Sequence, residues 1–275
     1  MLSYIPMRLV TFSVDGKPEA GVLAGDKVTG FGKDMLSVIA SGNVVPTGSV
    51  YDLKNVRMLA PIPRPPKLIC IGLNYLDHAK ETGQQVPDVP TVFNKFTNIV
   101  IGPGESIVLP NASKAPDYEA EMAIVIGPGG RNIPASKAMD HVFGYTIVND
   151  VSARDIQSAT SQWLLGKTCD TFAPMGPWIV TADEIANPHV LDIWLEIDGQ
   201  RLQNSNTREL IFKIPRLIEY ISSVVTLEPG DVIATGTPGG IGFKRNPQRL
   251  LKPGDEVVIH VEGIGELRNP VVAET

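Results

Sequence analysis

Short apolar runs separated by glycine and proline turns set the strongest limit on what this chain can fold into. The 275 residues include 26 glycines and 23 prolines. Segments 7–30 and 191–206 place Asp-Gly or Gly-Asp pairs between runs of strand-forming residues, which is typical of hairpins. Few segments have the apolar period of a helix. We therefore predict a strand-rich α+β fold rather than a doubly wound parallel sheet.

A proline-rich connector divides the chain into two predicted domains. Residues 60–67 read APIPRPPK, and proline cannot donate to a β-ladder and favours a stiff, extended chain. We predict a small N-terminal β-subdomain over residues 1–64 and a larger domain over residues 65–275. In the larger domain, residues 83–95 contain too much proline for regular structure, and residues 134–142 read as helical.

Pro215 is well placed as the first residue of a further helix, because its missing N–H is tolerated there. The apolar residues after it recur at helical spacing and predict a stripe that packs on a sheet. That stripe comprises Leu217, Ile218, Ile221, Val224 and Val225.

Charge and cysteine content exclude several classes of protein. The formal net charge is -6 and the pI is near 5.3, whereas nucleic-acid and anionic-membrane surfaces need basic patches. Only Cys70 and Cys169 are present, so there is no disulfide framework. The first residues lack a basic segment followed by a long apolar run. We expect a cytoplasmic protein with no nucleic-acid or membrane partner.

An acidic pair interrupts an otherwise buried strand. Glu119 and Glu121 lie two residues apart, so a strand projects both from one face, where they repel unless a cation lies between them. Asp150 ends the next predicted strand. Oxygen donors without cysteine suit Mg²⁺, Mn²⁺ or Ca²⁺ rather than structural zinc. The alternative is a solvated strand face with Asp150 capping a turn.

Five segments, in one order, resemble a known family. They read GLNYLDHAKETG, DYEAEMAIVIG, GYTIVNDVSARDIQ, WLLGKTCDTFAPMGPWIVT and GDVIATGTPGGIG. Together they resemble the fumarylacetoacetate hydrolase family over roughly residues 65–272. The resemblance implies a mixed β-sandwich roll, a homodimer, and Mg²⁺ or Mn²⁺ held by Glu119, Glu121 and Asp150. It also implies a small-molecule oxo-acid substrate, either a 2-oxo or a 2,4-dioxo carboxylic acid.

One position departs from the larger fumarylacetoacetate-cleaving enzymes. Those enzymes have a further metal-binding aspartate where this chain has Asn74. The departure favours the branch with smaller substrates, such as acylpyruvate or diketo-deoxy-sugar-acid hydrolases.

Candidate catalytic residues follow from the same motifs. His78 and Glu81, three apart in a helical turn, would share one face, so the carboxylate can orient the imidazole as a general base. Without the resemblance, an ordinary surface pair is the better interpretation. Lys167 follows an apolar run and, like its family counterpart, can hold a developing enolate oxygen. Lys95 is a weaker candidate for the same pocket, and a solvated loop lysine is the alternative.

Candidate substrate-binding residues lie near the predicted metal. Arg154 and Gln157 follow Asp150 by four and seven residues, so helical turns would keep them on the same side. Arg154 can clamp a carboxylate or brace a metal ligand, and Gln157 can hydrogen-bond a substrate carbonyl. The matching family residues have these roles. Thr237 ends a strand in a glycine-rich turn, whose backbone N–H groups and hydroxyl can receive a carboxylate.

Three functional hypotheses follow. The first is a metal-dependent hydrolase that cleaves the C3–C4 bond of a 2,4-dioxo acid into pyruvate and a second acid, with water activated by His78. The second is an oxaloacetate decarboxylase or tautomerase, or a hydroxy-diene-dioate isomerase. The third is a non-catalytic binding protein. Residues 83–90 are expected to form a lid over the substrate.

Overall fold

The computed structural model describes residues 7–275, so residues 1–6, used in the expectation about a leader segment, lie outside the described part. The strands are β1 (Arg8–Val14), β2 (Lys17–Ala24), β3 (Lys27–Gly30), β4 (Val50–Asp52), β5 (Arg57–Leu59), β6 (Leu68–Gly72), β7 (Thr91–Lys95), β8 (Val100–Ile101), β9 (Ile107–Leu109), β10 (Pro116–Asp117), β11 (Ala120–Ile126), β12 (Val142–Asn149), β13 (Ser152–Ala153), β14 (Ala173–Thr181), β15 (Asp192–Ile197), β16 (Gln200–Asn206), β17 (Val232–Ala234), β18 (Glu256–Val261) and β19 (Gly265–Ala273).

The helices are short. The α-helices are α1 (Met35–Ser41), α2 (Leu76–Thr82), α3 (Arg154–Gln157), α4 (Leu164–Lys167) and α5 (Ile214–Ser222). The 3₁₀ turns are Leu53–Asn55, Thr97–Ile99, Ala135–His141, Ala182–Glu184, Thr207–Glu209 and Gly242–Lys244. No helix in residues 7–275 is long and apolar enough to cross a membrane.

The strands form mixed sheets, which confirms the predicted strand-rich α+β class. A 12-stranded sheet has the order β4-β3-β2-β1-β14-β12-β11-β17-β6-β7, with β5 and β8 pairing to the side. A 5-stranded sheet has the order β16-β15-β18-β19-β9, and β10 pairs with β13. Most neighbouring strands are antiparallel, while β17 and β6 run parallel.

Strand β11 lies inside the large sheet and positions the acidic residues. It pairs antiparallel with β12 on one side and with β17 on the other. All of its residues are buried, as expected for a strand covered on both faces. Because β11 begins where β12 ends, Asp150 follows β12 beside Glu119. The Asp150 N–H donates to the Glu119 carbonyl oxygen at 2.9 Å.

The predicted N-terminal meander is present, since β1, β2 and β3 pair antiparallel in sequence order. Strand β1 also pairs with β14, with Leu9 opposite Ile179. The meander therefore extends the large sheet rather than forming a sheet of its own. The domain boundary near residue 65 stays a prediction.

One local expectation was confirmed and two were wrong. Residues 134–142 were expected to be helical, and residues 135–141 form a 3₁₀ helix. Residues 91–95 were not expected to have regular structure but form strand β7, because pairing with β6 along its whole length outweighs the prolines that precede it. Helix α5 has proline in its first turn, as expected, but ends at Ser222. Val224 and Val225 lie beyond its end and are exposed.

A substitution inside β11 tests whether this strand is the core of the fold. Ile124 is fully buried and lies between Tyr145 and Ile233 of the neighbouring strands. We expect Ile124→Ala to lower the free energy of unfolding by about 3 kcal/mol, because it leaves a cavity. Urea denaturation measures the loss. Val50→Ala on the exposed edge strand β4 is the control, with an expected change below about 0.5 kcal/mol.

Candidate functional site

The carboxylates of Glu119, Glu121 and Asp150 form a buried cluster, called here the acidic triad. One oxygen from each lies within 4.8 Å of the others. Their exposed fractions are 6%, 1% and 0%. The triad therefore does not lie on a solvated strand face, and the alternative interpretation of the sequence is excluded.

Two of the three cations that neutralise the triad contact Glu119, and the third, Lys95, contacts Asp150. The Lys167 Nζ lies 2.8 Å from Glu119 Oε2 and 2.7 Å from Asp150 Oδ2. The Arg154 guanidinium lies 2.7 Å from Glu119 Oε1. Burial alone would raise the pKa of Glu119, but the charges of Arg154 and Lys167 outweigh it and lower that pKa.

Glu121 differs from its neighbours in having no ion pair with any side chain in residues 7–275. Its Oε2 accepts a hydrogen bond from the Gly236 N–H at 2.8 Å. Burial, together with the charges of Asp150 and Glu119, raises the pKa of Glu121 well above its usual value. A divalent cation would remove this repulsion.

The donor set fits such a cation. It offers carboxylate oxygens from three residues, and Mg²⁺, Mn²⁺ and Ca²⁺ prefer oxygen ligands. The triad can therefore bind a divalent metal, in agreement with the sequence-based expectation.

A cavity of about 160 Å³ opens onto the triad. Its lining residues are Ile71, Gly72, Leu73, His78, Thr82, Gln84, Phe93, Glu119, Glu121, Arg154, Gln157, Trp163, Lys167, Thr237, Ile241, Phe243 and Lys244. Most of the residues predicted from the sequence to act at the site are in this lining. Asp150, Glu81 and Lys95 are not, although each contacts a group at the site.

The histidine and glutamate predicted as a dyad lie together on α2. His78 Nδ1 is 3.3 Å from Glu81 Oε2, while Glu81 Oε1 accepts from the Gly240 N–H at 3.0 Å. Burial opposes ionisation of Glu81, but the bonds from His78 and Gly240 prevail and lower its pKa. An ionised Glu81 fixes the imidazole through Nδ1, which leaves Nε2 for chemistry.

Residues 236–243, called here the glycine loop, are held by carboxylates of the protein. The N–H groups of this loop donate to them as follows: Gly236 to Glu121, Gly239 to Asp77, Gly240 to Glu81, and Gly242 and Phe243 to Asp117. The sequence suggested that these amides receive a substrate carboxylate, but the protein already uses them.

Thr237 in this loop lines the cavity, and its Oγ1 accepts from Gln203 Nε2 at 2.9 Å. Within residues 7–275 the Thr237 N–H has no hydrogen-bond partner, so both this N–H and the hydroxyl proton can contact a substrate carboxylate. Position 240 requires glycine for two reasons. Its φ is +102°, and a Cβ there would lie 2.2 Å from the Leu202 carbonyl oxygen.

Lys95 lies behind the triad rather than in the cavity. Its Nζ is 2.7 Å from Asp150 Oδ1 and donates to the carbonyls of Val151 and Phe172 at 2.9 and 2.8 Å. The side chain is 2% exposed, so it is not a solvated loop lysine. This geometry makes Lys95 a positioning residue for Asp150 rather than a substrate ligand.

Arg154 and Gln157 lie in α3, directly after β13. Arg154 Nε donates to Asp117 Oδ2 at 3.0 Å, and its Nη1 donates to Gln157 Oε1 at 3.1 Å. The guanidinium therefore braces Glu119 and also holds the Gln157 amide. Since Arg154 binds the Gln157 oxygen, the Gln157 NH₂ group can donate to a substrate carbonyl.

Asn74, the position that departs from the larger enzymes, has a structural role. Its Oδ1 accepts from the Phe212 N–H at 2.7 Å, and its Nδ2 donates to the Thr235 carbonyl at 2.8 Å. The side chain is fully buried and lies outside the triad. Its amide is therefore committed to backbone groups rather than to a metal.

Several cavity residues were missed in the sequence. Phe93 and Trp163 pack edge to face with centroids 5.5 Å apart, and Lys167 Nζ lies 5.0 Å from the Phe93 ring centroid. Phe243 and Lys244 also line the cavity. Phe93 lies in a segment dismissed for its prolines. Trp163 begins one of the five family motifs but was assigned no role, and nothing in the sequence placed Phe243 or Lys244 at the site.

Comparisons with known proteins show the family and the fold. The family model described as fumarylacetoacetate (FAA) hydrolase C-terminal matches residues 67–272, so this chain belongs to the fumarylacetoacetate hydrolase family. A second model, described as Rv2993c-like, N-terminal, matches residues 7–61.

Named relatives differ in the reaction that their names state. The chain is 50% identical to a Xenopus laevis protein named as a mitochondrial oxaloacetate tautomerase. The match spans 81% of this chain and 70% of that protein. A solved structure named as a 5-carboxymethyl-2-hydroxymuconate delta-isomerase from Mycobacterium smegmatis is 40% identical to this chain, with a TM-score of 0.86. The match covers 98% of this chain and 100% of the other. A fumarylacetoacetate hydrolase from Exiguobacterium antarcticum shares 35% identity and a TM-score of 0.88 over the same fractions.

Replacing the uncompensated carboxylate tests the metal site. In wild-type protein we expect Mn²⁺ to raise the Tm by about 5 °C, because a ligand of the folded state stabilises it, and EDTA to reverse the rise. Glu121→Gln should abolish that rise. Without metal, its Tm should stay within about 2 °C of wild type, because glutamine resembles the protonated carboxyl that the raised pKa favours.

Glu256→Gln, at the exposed first residue of β18, is the matched control for this experiment and should keep the full response to Mn²⁺. Differential scanning fluorimetry measures all three proteins. A Glu121→Gln protein that still gained stability from Mn²⁺ would place the metal elsewhere.

Proposed function

We propose that this protein catalyses keto–enol tautomerisation of a 2-oxo dicarboxylic acid of the oxaloacetate type. The 50% identity to a protein named oxaloacetate tautomerase is the observation that carries the proposal. The likeness to a protein named as an isomerase supports the same class of proton transfer. This function was the second hypothesis from the sequence, and the comparisons favour it over C–C bond hydrolysis.

The cavity supplies a base for the proton transfer. In the keto-to-enol direction, the C3–H bond of the substrate breaks and its proton passes to Nε2 of His78. The C–H electron pair forms the C2–C3 double bond, and the π pair of the C2 carbonyl moves to its oxygen. That oxygen takes a proton from water to complete the enol, and His78 returns its proton to water. Glu81 holds the imidazole through Nδ1, so the ring keeps its orientation in both directions.

The same cavity supplies groups for the oxygen atoms. The Lys167 ammonium lies at the cavity wall and can stabilise negative charge on the C2 oxygen as the enolate forms. Gln157 and Thr237 can hydrogen-bond the carbonyl and carboxylate of the substrate. When bound by the acidic triad, Mg²⁺ or Mn²⁺, with Ca²⁺ as a third possibility, would supply polarisation of the 2-oxo group.

Hydrolysis of a 2,4-dioxo acid is the second candidate. The likeness to a structure named fumarylacetoacetate hydrolase favours it, and the His78–Glu81 dyad could activate water instead of exchanging a substrate proton. Decarboxylation of oxaloacetate would use the same enolate. The three reactions differ in their products, so product analysis separates them.

The first experiment follows enol oxaloacetate by absorbance with Mg²⁺-loaded protein, and identifies products by NMR from oxaloacetate and from acylpyruvates. We expect fast enol–keto exchange with little pyruvate formed. His78→Gln should lower kcat at least about 100-fold, because a general acid–base group is lost. His141→Gln is the matched control, since His141 lies outside the cavity lining and binds the Pro128 carbonyl.

Other outcomes contradict the proposal in distinct ways. Pyruvate and a second acid from an acylpyruvate would establish the hydrolase. Pyruvate and CO₂ from oxaloacetate would establish the decarboxylase. Wild-type protein that changed none of these compounds would favour the non-catalytic binding protein.

Two further expectations stay predictions. A homodimer is implied by the resemblance, and sedimentation of the purified protein tests it. A cytoplasmic location is also open, because a relative at 50% identity is named as mitochondrial.

A further inference from the structure

The charges around the acidic triad limit what the cavity can bind. The buried carboxylates outnumber the buried cations by one: Asp117, Glu119, Glu121 and Asp150 against Lys95, Arg154 and Lys167. With all groups ionised, a divalent cation turns this excess of one negative charge into an excess of one positive charge. The carboxylate of a bound 2-oxo acid restores neutrality. A second carboxylate on the same substrate then has no buried partner and needs another cation.

Lys244 offers that cation in the same cavity. It is exposed and lines the cavity together with Gln84, Thr82 and Phe243. Glu119 and Glu121 are the only acidic residues in this lining. Within residues 7–275 the Lys244 ammonium has no ion pair and no hydrogen bond. Its charge is therefore available to a ligand.

The backbone that carries Lys244 is fixed to the triad through Asp117. Asp117 accepts from the N–H groups of Gly242 and Phe243 at 2.8 and 3.1 Å. The same carboxylate lies 2.9 Å from the Arg154 guanidinium, which holds Glu119. A Cβ at position 242 would lie 2.6 Å from Asp117 Oδ1, so only glycine allows this close approach.

We propose that Lys244 selects dicarboxylic acids by binding the carboxylate that lies away from the triad. This inference rests on the proposed function and deepens it, since it assigns the second carboxylate of the substrate to one residue. Lys244 is then a specificity-determining residue, while Asp117 positions the turn that presents it. The bond is charge-assisted but partly exposed to solvent, so its effect is moderate.

Binding of a matched ligand pair tests the inference without relying on turnover. 2-Oxoglutarate and 2-oxopentanoate have the same chain length, and only the first has a second carboxylate. Isothermal titration of Mg²⁺-loaded protein should show tighter binding of 2-oxoglutarate. We expect Lys244→Ala to weaken 2-oxoglutarate about fivefold to tenfold and to change 2-oxopentanoate by less than about twofold.

Two further variants make the result specific. Lys244→Arg keeps the charge and should retain the preference for 2-oxoglutarate. Lys252→Ala removes the same charge from an exposed position outside the cavity lining and should leave both affinities unchanged. Wild-type protein that bound both ligands equally, or a Lys244→Ala variant that lost both equally, would overturn the inference.

The inference and the proposed function fail separately. If the wild-type protein had no tautomerase activity but Lys244→Ala still weakened the binding of 2-oxoglutarate, the proposed function would be refuted and the specificity role of Lys244 kept. If the wild-type protein were a tautomerase but Lys244→Ala bound both ligands as tightly as wild type, the function would be kept and the specificity role of Lys244 refuted.

Discussion

Burying three carboxylates within 4.8 Å of one another is the constraint on which the rest of the site depends. Such a cluster is stable only if cations and hydrogen-bond donors surround it, because an unpaired buried charge is costly. The chain meets this need from separate elements: Lys95 from β7, Arg154 from α3 and Lys167 from α4. Each cation therefore joins a different part of the fold to the β11–β12 pair, and Glu121 is left as the group that most favours a metal.

The glycine loop connects the triad to the proposed dyad of His78 and Glu81. Its amides bind the carboxylates of Glu121, Glu81 and Asp117, so one backbone segment fixes a carboxylate of the triad, the residue that contacts the His78 imidazole and the partner of Arg154. Charge-assisted bonds of this kind are stronger than neutral ones. The loop thus holds His78, Glu81 and the triad in one geometry, as the proposed proton transfer would require.

One such arrangement can serve several reactions. Tautomerisation, decarboxylation and C–C bond hydrolysis all pass through an enolate next to a carboxylate, and the triad, Lys167 and His78 can assist each of them. The outcome then depends on what the cavity walls accept and on whether water reaches the base. Those walls are formed by Phe93, Trp163, Phe243 and Lys244, which belong to three separate segments of the chain.

Local periodicity or a single motif was enough to predict the strand-rich class, the β11–β12 pair, the i, i+2 spacing of Glu119 and Glu121, and the His78–Glu81 turn. The tertiary structure alone decided the positions of Lys95, Asn74 and β7. Proline content argued against β7, yet pairing with β6 formed it. Lys95 reaches Asp150, which lies far from it in sequence, and spacing along the chain carries no record of such long-range contacts.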